Sequence, residues 1–341
     1  MVNKIGYACM NLSMGNKKTS RTCRKSNFQL KGLSHISELI LQNVKDLYDI
    51  VQWNESAGIK LYRISSDLFP WSTYYNLKDL PKYKEIRSIL QLVGDYGKQH
   101  GHRYTTHPGA FTVLGSPNPD VVKNSMKDLE THSQMFDLMG YTPSFENKIN
   151  IHVGGAYGDK LKTSKRWIKN YNKLSESCRS RVVLENDDKA SMYSVKDLYH
   201  MFHEIIGIPI TFDYFHHKFQ SGGLSEKEAL TLASTTWPKG VVQCTHYSES
   251  RRKEKTLLLE QSVKKHGIRN ISDSPFFSDT MKDLKKIKEQ AHSDYVLGPI
   301  NPHGLKIDVV VEAKQKDLAV LKYLNEQSKS RSKISNAISI S

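Results

Sequence analysis

Ile149-Asn150-Ile151-His152-Val153-Gly154-Gly155 opens as a short apolar run and stops on a histidine beside two glycines. β-Branched residues in a run this short read as a buried strand, which the glycines terminate. A strand that leaves a core on a polar residue delivers that residue to one edge of its sheet. The same pattern recurs on both sides. Upstream, Tyr104-Thr105-Thr106-His107 ends before Pro108-Gly109. Downstream lie Val182-Val183-Leu184-Glu185, Ile210-Thr211-Phe212-Asp213, Val241-Val242-Gln243-Cys244-Thr245-His246 and Val309-Val310-Val311-Glu312.

Two further runs, Lys4 to Tyr7 and Ile59 to Ile64, bring the candidate strands to eight. Helical patterns separate most of them. Ser34 reads as the cap of an amphipathic stretch through Val51, closed by Gly58. Others cover Tyr83 to His100, Pro119 to Met139, Lys160 to Ser175, Ser194 to Ile206, Ser225 to Ser234 and Lys314 to Asn325. Alternating strands and helices imply parallel pairing, and eight strands predict a closed (β/α)8 barrel with its site at the C-terminal rim. One barrel domain is expected over residues 1–326. It is interrupted by an insertion at about 247–291, with a helix near Asp279 to Ala291 leading to His292. The Ser- and Lys-rich segment 327–341 has no apolar face and is expected to be disordered.

Lys plus Arg number 50 against 35 Asp plus Glu among 341 residues, a net charge of +15. That excess fits a polyanion such as nucleic acid or an acidic membrane surface as partner, and equally a soluble protein from a lysine-rich proteome. No run approaches a membrane span, and Met1-Val2-Asn3-Lys4-Ile5 lacks the layout of a secretory signal. The cysteines, Cys9, Cys23, Cys178 and Cys244, form no C-x-x-C pair. Both points lead to the expectation of a reducing, intracellular compartment.

Three histidines, two glutamates and one aspartate on a single rim are too many ligands for one ion. Imidazole and carboxylate suit Mn, Zn or Fe, and a carboxylate can bridge two ions in clusters that cleave phosphate esters. His216, just past Asp213, and His292 are candidates to join them.

These segments also resemble the UV damage endonuclease family. The likeness is carried by His107-Pro108-Gly109, His152-Val153-Gly154-Gly155-Ala156-Tyr157-Gly158, Leu184-Glu185-Asn186-Asp187, Asp213 with His216-His217, His246, His292-Ser293-Asp294-Tyr295 and Val311-Glu312-Ala313-Lys314. It extends to Gly6-Tyr7-Ala8-Cys9-Met10-Asn11 and Phe69-Pro70, covering roughly residues 4–322. The resemblance implies a TIM barrel like that of endonuclease IV. It also implies a metal-dependent enzyme that nicks DNA immediately 5′ of pyrimidine dimers and 6-4 photoproducts, leaving a 3′-hydroxyl. Two or three divalent ions are expected, Mn²⁺ first, with Zn²⁺, Mg²⁺ or Co²⁺ as alternatives. His107, His152 and Glu185 would hold one ion, and Glu185 would bridge to a second with Asp213, His246 and Glu312. His216 and His292 would hold a third, and Lys314 would meet a phosphate. Tyr7, Asn11, Ala110 and Phe111 match positions that contact the lesion or its opposite strand. The basic cluster at Arg251 and Arg252 is a further DNA-contact candidate. The partner would be double-stranded DNA bound by a monomer, in the cytoplasm or, in a eukaryote, the nucleus.

Three departures from the family pattern matter. A glutamine that follows His-Pro-Gly is here Ala110, so either Phe111 probes the base stack alone, or damage discrimination is weaker, or the residue was changed by design. A lysine that can be carboxylated, two residues before the match to His246, is here Cys244, so no modified lysine is expected there. Extra length also separates His246 from His292. Other readings of the same ligands are an abasic-site endonuclease of the endonuclease IV type, a metal-dependent sugar isomerase, and a DNA-binding protein with a vestigial site.

Overall fold

A computed structural model describes residues 1–338. Its strands are β1 (Val2–Ala8), β2 (Leu61–Ile64), β3 (Arg103–Thr106), β4 (Ile149–Ile151), β5 (Val182–Glu185), β6 (Ile210–Thr211), β7 (Gln243–Tyr247) and β8 (Ile307–Val311). Every pairing is parallel, in the order β6-β5-β4-β3-β2-β1-β8-β7. The two ends meet through an Asp213–His246 bridge, where the His246 amide donates to the Phe212 carbonyl at 2.9 Å. The result is a TIM barrel. Helices Lys25–Ser56, Tyr83–Gln99, Pro119–Leu138, Lys160–Tyr171 and Glu226–Thr235 lie among its connections. Among the described residues no helix is long and apolar enough to cross a membrane.

Alternation along each strand sorts the barrel interior into layers. At the N-terminal ends of the strands, Arg103 and Asp308 form a fully buried ion pair at 2.8 Å. Above it lies a small apolar fill of Ala8, Leu61, Val183, Cys244 and Val310, with Trp237. Two residues further along the same strands come the rim groups. β3 thus runs Arg103, Thr105, His107 on its inner face, and β8 runs Asp308, Val310, Glu312. Gly6 belongs to this face, where β1 and β2 are so close that a Cβ would lie 1.7 Å from the Leu61 carbonyl oxygen. The larger apolar core lies outside the barrel, between strands and helices.

Three expectations are corrected here. The first helix starts at Lys25 rather than Ser34, with a break at Gly32 (φ 63°) inside it. The insertion is two helices, Arg251–Lys265 and Phe277–Lys286, and the second ends well short of His292. The chain is tied shut at its base. Arg251 N donates to Ala291 O at 2.8 Å, Ser293 N to Glu249 O at 2.8 Å, and the Glu254 carboxylate accepts from the Asp294 and Tyr295 amides. That closure, rather than a helix end, returns His292 to the rim. Finally, the last helix spans Lys316–Ile338, across most of the segment expected to be disordered. No Gly or Pro interrupts 327–338, so a helix already nucleated against the barrel propagates. Residues 339–341 of that segment lie outside the described residues.

Candidate metal centre

Glu185 is the hub of the rim. Its Oε2 lies 3.2 Å from His107 Nε2, 3.2 Å from His246 Nδ1 and 3.8 Å from His152 Nε2, and its Oε1 lies 3.4 Å from His216 Nδ1. Two ligand groups meet on it, His107–His152–Glu185 and Glu185–Asp213–His246. Glu312 extends the second, with Oε1 at 3.3 Å from His246 Nδ1 and Oε2 at 3.9 Å from His292 Nδ1. Stacked or tilted ring pairs, His107–His246, His107–His152 and His152–His216, at 5.5–5.9 Å, make one arc of imidazoles. Glu185, Asp213 and His246 are buried. His107, His152, His216, His292 and Glu312 are half-buried and open towards the rim.

The imidazoles are held as metal ligands are held, by an oxygen on one ring nitrogen that leaves the other free. Pro108 O, Asn186 O and Glu312 O hold Nδ1 of His107, His216 and His292 at 2.9, 2.9 and 2.8 Å. His152 Nδ1 faces Asp187 Oδ1 at 3.2 Å. His246 is reversed. Lys148 Nζ meets its Nε2 at 3.2 Å, leaving Nδ1 towards the carboxylates. Asp213 uses Oδ1 to cap the short helix Tyr214–His217, accepting from Phe215 N and His216 N. Its Oδ2 is buried without a hydrogen-bond partner, and Nδ1 of His246 faces the Glu185 and Glu312 carboxylates at 3.2 and 3.3 Å. A buried, unpaired carboxylate oxygen among further carboxylates is costly unless a cation satisfies it, so these residues fit divalent metal.

The electrostatics agree. Burial pushes Glu185 up, but His246 and His152 outweigh it and hold the carboxyl well below the usual carboxylate range. Burial raises Asp213 to about 7 against the pull of His216. Desolvation opposes His152 and His216, yet Glu185 and Asp187 raise the first to about 10, and Asp213 with Glu185 raise the second to about 9. Without a metal ion, protons take up the positive charge this cluster demands.

The structure brings together His107, His152, Glu185, Asp213, His246 and Glu312. His216 lies beside Glu185 and Asp213, and His292 lies beside Glu312 with its ring packed on Phe215 at 5.5 Å. Phe111 is 93 % exposed beside Ala110, on a turn pinned by Thr112 N to Gly109 O and by Thr112 Oγ1 to Asp128. Lys314 is exposed on the same rim. Four expected contacts are bonded within the chain, two of them buried and two partly exposed. Tyr7, on the outer face of β1, is fully buried and donates to Asn54 Oδ1 at 2.7 Å. Asn11, 3 % exposed, donates to the Tyr7 hydroxyl at 2.8 Å. Arg251 is paired with Asp294 at 2.6 Å, and Arg252 with Glu289 and the Ile287 carbonyl, so both brace the insertion.

Several residues at the site escaped the sequence. Arg63, on the inner face of β2, is paired with Glu312. Lys148 is fully buried and reaches Asn150 Oδ1, Thr211 Oγ1 and the Cys244 carbonyl as well as His246. Burial pushes its amine down to about 8. Asn150 donates to Glu185. Arg63, Lys148 and Asn150 share the inward parity of the ligands, which is the signal that would have found them.

A family model described as UV-endonuclease UvdE matches residues 3–339. A UV-damage endonuclease of Schizosaccharomyces pombe is 34 % identical over 331 residues, 93 % of this chain and 49 % of that protein. A UV DNA damage endonuclease of Clostridium perfringens is 30 % identical over 325 residues, 94 % of this chain and 70 % of that protein. The chain thus spans about half the length of the yeast relative. The crystal structure of SacUVDE superposes with a TM-score of 0.76 at 27 % identity, over 96 % of this chain and 99 % of that one. Endonuclease IV from Thermus thermophilus has a TM-score of 0.52 at 9 % identity, over 95 % and 100 %, a likeness of fold.

Proposed function

The chain belongs to the UV-endonuclease UvdE family, and on that premise we propose that it nicks DNA immediately 5′ of UV photoproducts, both pyrimidine dimers and 6-4 photoproducts, leaving a 3′-hydroxyl. The observation that carries this reading is the convergence of two candidate ligand groups on Glu185, with an exposed aromatic, Phe111, four residues past His107. Bound divalent ions, Mn²⁺ first, would supply Lewis acidity at the scissile phosphate and lower the pKa of the attacking water. His107, His152 and Glu185 would hold one ion; Glu185, Asp213, His246 and Glu312 a second; His216 and His292 a third. Asn150 and Lys148 fix the orientation of Glu185 and His246 from below, and Arg63 that of Glu312. Lys314, exposed two residues past Glu312, would meet a backbone phosphate.

Lesion choice falls to the turn after β3. A photoproduct stacks and pairs poorly, so extruding it costs less than extruding normal bases. Phe111, held out on a pinned turn, can fill the space left in the stack. Ala110 beside it offers no hydrogen bond to a base edge. Ala110→Gln is therefore expected to raise the preference for photoproduct duplex over undamaged duplex by about 10-fold, the scale of one added polar base contact. Competition titrations measure that ratio, and an unchanged value would count against this role for the turn.

The reading itself is tested by a nicking assay on duplexes carrying one photoproduct, one abasic site or no lesion, with Mn²⁺, Zn²⁺ or chelator. Metal-dependent nicking 5′ of the photoproduct is expected. Nicking of the abasic duplex alone would replace the reading with an abasic-site endonuclease, and no nicking of any duplex would overturn it.

A further inference from the structure

Outside the rim, between the connections that follow β3 and β4, runs a groove of about 480 Å³ whose lining includes Lys123, Arg166, Lys169 and Lys173. Helix Lys160–Tyr171 buries Thr163, Ser164, Trp167 and Tyr171 against the barrel. Its opposite side carries Lys162, Arg166 and Lys169, continued by Lys173, at spacings of 4, 3 and 4 that share one face, with Lys165 beside them. Some surface cations elsewhere are matched with carboxylates, as in Lys160–Asp197, Arg251–Asp294 and Lys253–Glu249, while others such as Lys31, Lys45 and Lys84 stand singly rather than in a row on one helix face. Among the described residues, none of Lys123, Lys162, Lys165, Arg166, Lys169 and Lys173 has a carboxylate within ion-pair distance. A row of like charges on one helix face repels itself, and an external anion relieves it.

A second feature stands between this row and the metal ligands. Tyr157, five residues past His152, is 52 % exposed and holds a left-handed backbone (φ 49°) between Gly154 and Gly158. Its ring lies 5.7 Å from the Arg166 guanidinium, which in turn donates to Gly115 O and Thr163 Oγ1. A strained backbone thus presents an exposed aromatic, braced from behind by a cation that is itself fixed. Base-stacking platforms in nucleic-acid channels combine these two parts, an aromatic ring and a positive groove.

We propose that Lys123, Lys162, Lys165, Lys169 and Lys173, with Tyr157 at their rim end, form a DNA-binding track that grips the phosphate backbone of one duplex arm beside the nick. From Lys162 to Lys169 the helix rises about 10 Å, which spans about three phosphates of one strand. The track lies on the β3–β4 side only, so one arm of the substrate is held by it and the other is not. This inference rests on the DNA reading above.

The test uses the full chain with Lys162→Gln, Lys165→Gln, Lys169→Gln and Lys173→Gln combined. The charge-matched control combines Lys31→Gln, Lys45→Gln, Lys84→Gln and Arg87→Gln on other helices. Photoproduct-duplex binding is followed by fluorescence anisotropy in chelator across a KCl series. The track variant is expected to lose about 3 units of the salt slope, at about 0.9 per phosphate contact, and the control less than one. Tyr157→Asn, which keeps a residue tolerant of the left-handed backbone, is expected to bind about 10-fold more weakly at constant slope. Shortening the duplex on one side of the lesion should erase the difference between wild type and track variant, and shortening the other side should not. Equal slopes for track and control variants, with both nicking lesion DNA normally, would overturn the track and leave the endonuclease reading intact. A wild type that neither binds nor nicks lesion DNA would remove the reading beneath it.

Discussion

Glu185→Gln is expected to lower nicking of a photoproduct duplex by about 10³-fold, the scale of removing a central electrostatic group from an active site. It should also abolish the rise in melting temperature expected of the wild-type chain with divalent metal. The carboxylate stands within 3.2–3.8 Å of three imidazoles through Oε2 and faces a fourth through Oε1. Glutamine keeps the shape and one acceptor but loses the negative charge that the two proposed ion sites would share, and turns an N–H donor towards nitrogens that would need lone pairs. Metal that binds only the folded chain stabilises it by about 2.7 kcal/mol at 100 times its Kd, so loss of affinity reads directly as loss of thermal shift. Glu312→Gln should cost less. Glu312 serves the edge of the cluster, and Arg63 already shares its charge. The checks are metal content per chain after dialysis and melting curves with and without Mn²⁺. A Glu185→Gln variant that keeps the full metal complement and the full shift would remove Glu185 from the hub.

The strand-end ligands were legible because two regularities coincide. A buried parallel strand reads as an uninterrupted apolar run, and its last inward residue is the first that solvent or a ligand can reach. Glu185, Asp213 and His246 follow from that alone. Parity explains one failure. Gly6 and Ala8 are the small inward residues of β1, so Tyr7 between them faces the helices and bonds Asn54. Distance explains the others. The pairing of Arg251 with Asp294, 43 residues on, has no local signal. Lys148 reads as a solvated strand flank until β6 and β7 close around its amine. Long-range partners of this kind leave no periodic trace. The fold therefore came through almost whole, while the groups that orient the ligands did not.

The other end of the barrel carries the second large expectation. Arg103→Met should cost about 3–5 kcal/mol of stability, as expected when one partner of a buried ion pair is removed. Arg103 begins β3 and is fully buried. It donates to Asp308 Oδ2 at 2.8 Å and to the carbonyls of Phe145, Glu146 and Val242, which precede β4 and β7, while its guanidinium lies over Trp237. Asp308 Oδ1 in turn accepts from Asn3 and from the Lys4 amide on β1. One arginine therefore ties the beginnings of five strands. Methionine fills much of the volume but leaves a buried carboxylate without its cation and three carbonyls without donors. Asp308→Asn should cost less, about 2 kcal/mol, because the guanidinium it leaves keeps three carbonyl acceptors and the Glu146 carboxylate at 3.7 Å, and Asn keeps the Oδ1 acceptor. Urea unfolding followed by fluorescence and circular dichroism measures both. Equal losses, or a larger one for Asp308→Asn, would show that the pair's charge rather than the arginine's carbonyl bonds holds the strands. Nicking measured well below the melting temperature should stay within about twofold in either variant, since this end of a barrel serves stability and the opposite rim does the chemistry.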